Sequence, residues 1–230
     1  MVIKNLFLFI AIFIYPFFLN AQVSKNVSVT PGNLSNTLTL LEKNTITQIS
    51  IEGSIDSRDF KTLRDSMPLL VDIDMTNVTI VEYEGNLGTL SNSNTLYKQN
   101  TIPNRAFYKS SGCQINTILL PNSAVEIDSF AFTRCSKIKN LTIPQNVKSI
   151  GSYVFQDCIN LISISIPTTV TYIGRFSFNN CYQLKSFIIP TSLTILQEAL
   201  FSNCSSLENI IIPSNITSIG INCFEACKRI

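Results

Sequence analysis

The sequence contains no histidine and no tryptophan, and it is poor in charged residues. Asp, Glu, Lys and Arg together make up 14% of the 230 residues. Histidine is the commonest general base, the commonest zinc ligand and the usual partner of a nucleophilic Ser or Cys. Its absence argues against most hydrolases and metalloenzymes, and the sequence predicts neither a cofactor nor a metal site. A formal net charge of +2 gives no electrostatic reason to expect nucleic acid or an anionic membrane as a partner.

The first residues have the order of a secretory signal peptide. Lys4 is followed by an apolar run from Leu6 to Leu19, and Ala21 supplies a small residue before the polar chain begins. The run is shorter than the roughly 20 apolar residues that span a bilayer, and Pro16 disfavours a long helix within it. We therefore predict a cleaved signal over residues 1–21 rather than a membrane anchor. The mature chain is then expected to have no membrane span and to be secreted or held at the cell surface.

A period of 23 residues governs the chain over residues 101–230. Proline, phenylalanine, cysteine and the branched residue before glycine each recur at this step. The columns are Pro121, Pro144, Pro167, Pro190 and Pro213; Phe132, Phe155, Phe178, Phe201 and Phe224; Cys135, Cys158, Cys181, Cys204 and Cys227; and Ile127, Ile150, Ile173, Leu196 and Ile219. A looser turn begins earlier, at Phe107. Because one turn has too few apolar positions to form a core, the repeat predicts a stack of turns that share one interior.

Each turn has the pattern of a short strand followed by tight turns. Leu141, Thr142 and Ile143 alternate between apolar and polar, which is typical of a strand with one buried face. Pro144 has no N–H to extend a ladder and ends the strand, and Gly151 marks a turn after a second extended piece. The predicted fold is a repeat solenoid of mostly short parallel β-strands, with turns or short helices between them.

The cysteine column is interpreted as a packing position, because a free Cys behaves as a small and often buried hydrophobe. Disulfides, metal ligands and nucleophiles are the alternatives. Secretion would permit disulfides and adjacent turns lie within bridging range, but equivalent side chains in a stack point in parallel, and the seven cysteines are an odd number. Cys223 stands outside the column, and we expect it to be a reactive thiol or one without a packing role.

Four segments carry a resemblance to a known family: LTIPQNVKSIGSYVFQDC, ISIPTTVTYIGRFSFNNC, FIIPTSLTILQEALFSNC and IIIPSNITSIGINCFEAC. They resemble the BspA-like class of leucine-rich repeats, which is known from surface and secreted proteins of anaerobic bacteria and some parasitic protists. The chain departs from the pattern where Asp128 and Gln197 replace the turn glycine. The resemblance implies a leucine-rich-repeat solenoid with a β-sheet along one face and a role in adhesion or protein binding. The stretch upstream of the repeats also resembles N-terminal flanks of such proteins from Bacteroidetes.

Residues 22–100 are predicted to form an irregular α/β cap ahead of the solenoid. The predicted segments are a helix over Asn33–Glu42, a strand over Ile46–Ile51, a helix over Asp59–Ser66, a strand over Val71–Met75 and an exposed loop over Glu84–Gln99. The helix over Asn33–Glu42 rests on the spacing of Leu34, Leu38 and Leu41. Ile49 precedes Val71 by 22 residues, so the region is also compatible with an irregular first pair of turns.

The sheet face is the predicted binding platform, since a solenoid presents one side chain per turn in register. The candidate contact residues are Leu119, Thr142, Ser165, Ile188 and Ile211 in the outward row, with Lys139, Lys185 and Glu208 beside it. Exposed isoleucines can mark a contact surface, although β-branched residues there also simply favour a strand. The expected partner is a protein, or an extracellular-matrix or cell-surface macromolecule, and adhesion is the expected role.

Two alternatives to a binding protein remain open at this stage. One is a secreted glycan-acting enzyme that uses carboxylates of the N-terminal region, for which Asp59, Glu82 and Glu84 are the candidates. It would need two carboxylates about 5–10 Å apart in a cleft. The other is a non-functional gene fragment. The last turn is incomplete, and self-association through its apolar end is expected.

Overall fold

The structure, a computed structural model, describes residues 22–90 and 94–230, so the predicted signal over residues 1–21 lies outside the described residues. The strands are β1 (Ser24–Val29), β2 (Gln48–Ile55), β3 (Asp72–Asp74), β4 (Val78–Ile80), β5 (Tyr83–Gly85), β6 (Thr95–Tyr97), β7 (Thr101–Ile102), β8 (Thr117–Leu119), β9 (Glu126–Ile127), β10 (Asn140–Thr142), β11 (Ser149–Ile150), β12 (Ser163–Ser165), β13 (Tyr172–Ile173), β14 (Ile195–Leu196) and β15 (Ser218–Ile219). The helices are α1 (Leu34–Thr37), α2 (Leu40–Thr45) and α3 (Ser57–Asp65). Within the two described ranges, no helix has the length and apolar character needed to cross a membrane.

The chain winds into a β-solenoid of about eight turns, as the repeat predicts. On the first side of each turn, β1, β2, β3 and β8 form a parallel sheet, and β10 and β12 form a parallel pair beyond it. Strand β4 pairs with the far end of β2. On the second side, β7, β9, β11 and β13 form another parallel sheet, followed by the pair β14 and β15. The helices are confined to the N-terminal turns.

The third side of each turn is closed by tight turns around a stack of phenylalanines. Phe107, Phe132, Phe155, Phe178 and Phe201 are almost completely buried, and Phe224 packs against the same core. Successive ring centroids lie 5.2, 5.5, 5.4, 5.5 and 5.5 Å apart. The prediction of one shared interior is therefore confirmed, because each ring is packed between the equivalent rings of its neighbouring turns.

The glycine before each tight turn lets consecutive turns approach closely. A Cβ atom on Gly174 would lie 2.5 Å from the backbone nitrogen of Ser152 in the preceding turn. The Gly174 N–H donates to the carbonyl of Ile150 at 2.8 Å, and Gly151 donates to Ile127 at the same distance. The glycine therefore serves close stacking as well as the turn.

Both sheets open at the turn that runs from Tyr182 to Cys204. Strand β13 has no ladder to β14, and residues 186–188 form no strand beside β12. Phe187 occupies the buried position that other turns fill with Leu141 or Ile164, and its ring makes edge contacts with Phe178 and Phe201 at 5.0 and 4.8 Å. We attribute the opening to this larger side chain, together with the Cβ of Gln197 at the position of the turn glycine.

The N-terminal region is built from turns of the same solenoid, because β1, β2 and β3 share a sheet with β8 of the repeats. Ile49 pairs with Ile73, not with Val71, so these turns are 24 residues long. The helix predicted over Asn33–Glu42 is wrong in part. It is split into α1 and α2, and Leu41 is 72% exposed.

The predicted exposed loop over Glu84–Gln99 is also wrong in part. β5 and β6 form an antiparallel hairpin there, and the Tyr83 and Tyr97 rings stack at 6.0 Å. The Arg58 guanidinium lies over the Tyr83 ring at 4.5 Å. The second half of this segment is thereby fixed to α3, and Tyr97 is buried.

The cysteine column lines the core, which confirms its predicted packing role. Cys135, Cys158, Cys181 and Cys204 are 0 or 1% exposed. The expectation for Cys223 is wrong, because its side chain is 2% exposed. Burial also raises the pKa of the Cys223 thiol to about 12, which disfavours the reactive thiolate.

Candidate interaction surface

The outward side of the first sheet is the candidate surface, and we call it the sheet face. Its side chains form two rows, because alternate residues of neighbouring strands point outward in register. The first row is Ser24, Gln48, Asp72, Thr117, Asn140 and Ser163, and the second is Asn26, Ser50, Asp74, Leu119, Thr142 and Ser165. By repeat position, Ser186 and Asn209 continue the first row, and Ile188 and Ile211 continue the second.

The N-terminal half of the sheet face is polar and carries negative charge. A shallow concavity of about 490 Å³ is lined here by side chains of β1, β2 and β3, with Thr117 and Leu119 at its far end. Asp72 accepts a hydrogen bond from the Gln48 Nε2 at 2.6 Å, and Asp74 accepts one from the Thr76 backbone N–H at 2.9 Å. Neither carboxylate takes part in an ion pair with the described residues. Their charge is thus available to a partner.

The middle of the sheet face holds a second concavity, of about 420 Å³. Hydroxyl and amide side chains line most of it, among them Asn140, Thr142, Ser163 and Ser165. Leu119 stands at the boundary between the two concavities and is 50% exposed. This part of the face offers hydrogen-bonding groups without charge.

The C-terminal half of the sheet face is apolar. Ile188 is 86% exposed and Ile211 is 81% exposed, and the two stand in consecutive turns of the second row. Both lie at and beyond the opening of the sheet beside Phe187. Large apolar side chains at this exposure lose the hydration penalty only when another surface covers them.

The flanking residues Lys139, Lys185 and Glu208 belong to one backbone row. Ile162 donates to the Lys139 carbonyl at 2.7 Å, Lys185 donates to Ile162 at 3.2 Å, and Glu208 donates to Lys185 at 2.9 Å. Lys139 and Lys185 are exposed, whereas the Glu208 carboxylate is paired with Arg229. The sheet face therefore has acidic residues toward one end and basic residues toward the other.

The structure brings the predicted candidates together on one surface, but it also adds residues that the sequence analysis missed. Asp72, Asp74, Gln48 and Ser50 share the face with Leu119, although they lie in the region assigned to a cap. The 24-residue spacing of Ile49 and Ile73 is the signal that would have revealed them. Whether any of these residues contacts a partner stays a prediction.

The carboxylates considered for catalysis do not share a cleft with one another. Asp59 is completely buried, and its two oxygens accept the backbone N–H groups of Gly32, Leu34 and Asp56 at 2.7, 2.9 and 3.0 Å. Burial raises the pKa of Asp59. Glu82 and Glu84 are exposed. In the described part of the chain, no three His, Cys, Asp or Glu side chains are grouped so that they could hold a metal ion.

Parallel strands that line one face, with a core refilled at each turn, define a leucine-rich-repeat solenoid. The family model of the BspA-type leucine-rich repeat region matches residues 100–230 in six copies. The chain therefore belongs to the BspA-type leucine-rich repeat family. No curated protein is significantly similar to it.

Several solved structures are similar to this one. A Treponema pallidum leucine-rich repeat protein is 20% identical, with a TM-score of 0.55 over 91% of this chain and 78% of that chain. A Bacteroides ovatus leucine-rich repeat protein is 18% identical, covers 91% of this chain and 74% of that chain, and has a TM-score of 0.36. A leucine-rich cell surface protein of Faecalibacterium prausnitzii is 19% identical, covers 85% and 60%, and has a TM-score of 0.40. At these identities the first likeness shows the fold alone, and the lower scores of the other two carry no argument.

Proposed function

We propose that this chain is a non-enzymatic, secreted or cell-surface protein that binds a protein or another extracellular macromolecule through its sheet face, in an adhesive role. Membership in a repeat family whose solenoids serve protein interaction supports the class of function. The order of charge, apolar run and small residue in Met1–Ala21 supports secretion. The observation that carries the choice of surface is the pair Ile188 and Ile211, which are 86 and 81% exposed in register on the face.

The two rows also support a partner that lies along the stack of turns. A flat array of outward residues repeats about every 4.8 Å from turn to turn, so an extended contact can use several turns at once. The carboxylates Asp72 and Asp74 favour basic groups at one end of the partner, and Lys139 and Lys185 favour acidic groups at the other. The isoleucines then supply the apolar centre that specific interfaces need.

A binding experiment on the mature chain tests this proposal. Immobilised extracellular-matrix proteins and glycans are screened with the wild-type protein, and each binder is then titrated with Ile188→Asp and Ile211→Asp. We expect each substitution to weaken binding at least ten-fold without a change in thermal stability, since both side chains are exposed. Ile221→Asp is the matched control, because Ile221 is 77% exposed but lies away from the sheet face.

Equal binding by the two sheet-face variants and the wild type would reject the sheet face as the site. Loss of binding in the Ile221→Asp control alone would place the contact at the last turn instead. Hydrolysis of a screened glycan by the wild-type protein would favour the enzymatic alternative.

Self-association is a separate part of the proposal. The last turn exposes Ile219, Ile221 and Ile230 at 51, 77 and 58%, and a second copy could cover them. Light scattering across a concentration series should then show a mass that rises with concentration. A monomer at the highest concentration would contradict self-association and leave the sheet-face proposal intact.

A further inference from the structure

Cys113 enters the cysteine column differently from the cysteines that follow it. Phe107 precedes Cys113 by six residues, whereas the spacing is three in each later turn. In the later turns the cysteine N–H donates to the phenylalanine carbonyl of its own turn, as Cys135 does to Phe132 at 3.0 Å. The Cys113 N–H instead donates to Arg134 in the next turn at 3.3 Å. The backbone of Cys113 is therefore joined to the residue directly before Cys135.

The sulfur contacts show the same exception. The thiols of Cys158, Cys181, Cys204 and Cys227 donate to the phenylalanine carbonyl of the preceding turn at 3.2, 3.3, 3.1 and 3.1 Å. The corresponding distance from Cys135 to the Phe107 carbonyl is 3.8 Å. A hydrogen bond joins the Cys135 thiol to the Cys113 sulfur instead. Among the cysteines of the described residues, these two form the pair whose thiols interact in this way.

Cys113 also borders open space, which the later cysteines of the column do not. It lines a pocket of about 210 Å³ together with Leu63, Met67 and Lys109. The hydrogen bond from Cys135 lowers the pKa of Cys113 despite burial, and the Lys109 ammonium acts in the same direction. Burial raises the pKa of Cys158 and Cys181. Since the thiolate is the nucleophile, Cys113 is the cysteine best able to attack an incoming reagent.

We propose that Cys113 and Cys135 are oxidised to a disulfide by small-molecule disulfides, while the other five cysteines stay thiols. The Cys113 thiolate attacks one sulfur of the oxidant, forms a mixed disulfide and releases one thiolate. The Cys135 thiol then loses its proton to solvent and displaces the second thiolate from Cys113. The pair loses two electrons and two protons, and the oxidant is reduced to two thiols. Such oxidants are available to a secreted protein.

The bond has a structural consequence for the first repeat. Neighbouring turns are spaced about 4.8 Å apart, within the roughly 4.4–6.8 Å that separates the Cα atoms of bridged cysteines. The linkage would fix the irregular segment between Phe107 and Cys113 to the regular turn that follows. All adjacent cysteines of the column meet the same spacing, so selectivity comes from the sulfur contact and from access through the pocket.

Peptide mapping of the folded protein tests the inference. The fully reduced protein is incubated with glutathione disulfide, alkylated, digested and analysed by mass spectrometry without reduction. We expect the Cys113–Cys135 linkage to exceed any other linkage at least ten-fold. Cys113→Ser should abolish it, and Cys158→Ser, the matched control, should leave it unchanged. The same reaction in urea should lose the selectivity.

Three results would overturn the proposal. They are a preferred linkage between other cysteines such as Cys135 and Cys158, glutathione retained on Cys113 without transfer to Cys135, and no oxidation of either cysteine in the folded state. Each is read from the wild-type protein, so none depends on a variant that folds poorly. The result is also independent of any partner of the sheet face.

Discussion

Several non-glycine residues adopt a left-handed backbone at equivalent positions of successive turns. Phe130, Tyr153 and Phe176 have φ angles of 60°, 60° and 57°. This conformation costs roughly 1–2 kcal/mol for an L-residue. The cost is offset because the rings stack at 4.9 and 5.0 Å, and because each backbone N–H donates to the next turn, as Phe130 does to Ser152 at 3.0 Å.

A second left-handed column carries a ladder of polar side chains. Asp157, Asn180 and Asn203 have φ angles of 59°, 62° and 62°. Asn180 donates to Asp157 at 2.7 Å and accepts from Asn203 at 3.0 Å. Asparagine and aspartate tolerate this backbone better than most residues, so the column combines a suitable conformation with a hydrogen bond to each neighbouring turn.

Substitution of Asn180 separates these two contributions. Asn180→Gly keeps the left-handed conformation but removes both side-chain hydrogen bonds, and it should lower the free energy of unfolding by about 1–2 kcal/mol. Asn180→Ala should cost about 1 kcal/mol more, because alanine also disfavours the backbone angle. Urea denaturation of the three proteins measures both differences. Equal stability of the alanine and glycine variants would show that the backbone angle carries no cost at this position.

At the level of secondary structure, a short helix with a polar cap covers the N-terminal end of the first sheet. Thr39 and Glu42 form a capping box at the start of α2. Lys25 pairs with Ile49 in the column that other turns fill with buried apolar residues, and its ammonium binds the Glu42 carboxylate at 2.7 Å. A charged residue in this column is a typical device against edge-to-edge pairing of strands.

The pH dependence of stability should reveal this contact. Hydrogen bonds from Lys25 and then from the Thr39 backbone N–H lower the pKa of Glu42 from 4.5 to about 2. A depressed pKa stabilises the folded state above the unfolded value, and the contribution is lost as pH falls from about 4.5 toward 2. The stability difference between the wild type and Glu42→Gln should therefore shrink over this range, as followed by urea denaturation. A difference that grows as the pH falls would contradict the assignment, and added salt should reduce the effect because the pair is exposed.

The opening of both sheets at one turn shows how single positions act on whole elements. Phe187 fills a slot of the same column as Ile164, and Gln197 fills a slot of the same column as Gly174. Both residues still leave the chain within the repeat pattern, so the periodicity alone gave no warning. The interruption follows from the size of the side chains in three dimensions.

For the whole molecule, stability should depend on contacts between neighbouring turns. Repeat proteins behave approximately as a sum of turn stabilities and nearest-neighbour terms. The Phe132 and Phe155 rings are in contact at 5.5 Å, whereas Phe132 and Phe201 are three turns apart in the sequence. The coupling of distant turns is therefore expected to be small.

A pair of double-mutant cycles measures this property. Phe132→Leu with Phe155→Leu should show an interaction energy of about 0.5–1.5 kcal/mol, since stacked aromatic pairs contribute that much beyond burial. Phe132→Leu with Phe201→Leu should be additive within about 0.5 kcal/mol. Urea denaturation of each single and double variant supplies the energies. Similar coupling in both pairs would contradict the nearest-neighbour description.

The sequence by itself determined the solenoid, its 23-residue period, the shared phenylalanine core and the outward row from Leu119 to Ile211. It could do so because each turn must refill the same slots, and a fixed step along the chain then becomes a fixed step in space. Only the tertiary structure decided that residues 24–74 contribute three more strands to the same sheet, that the sheets open at Phe187, and that the Cys113 and Cys135 thiols meet. These features depend on insertions, on side-chain volume and on a local slip of register, none of which leaves a periodic trace in the sequence.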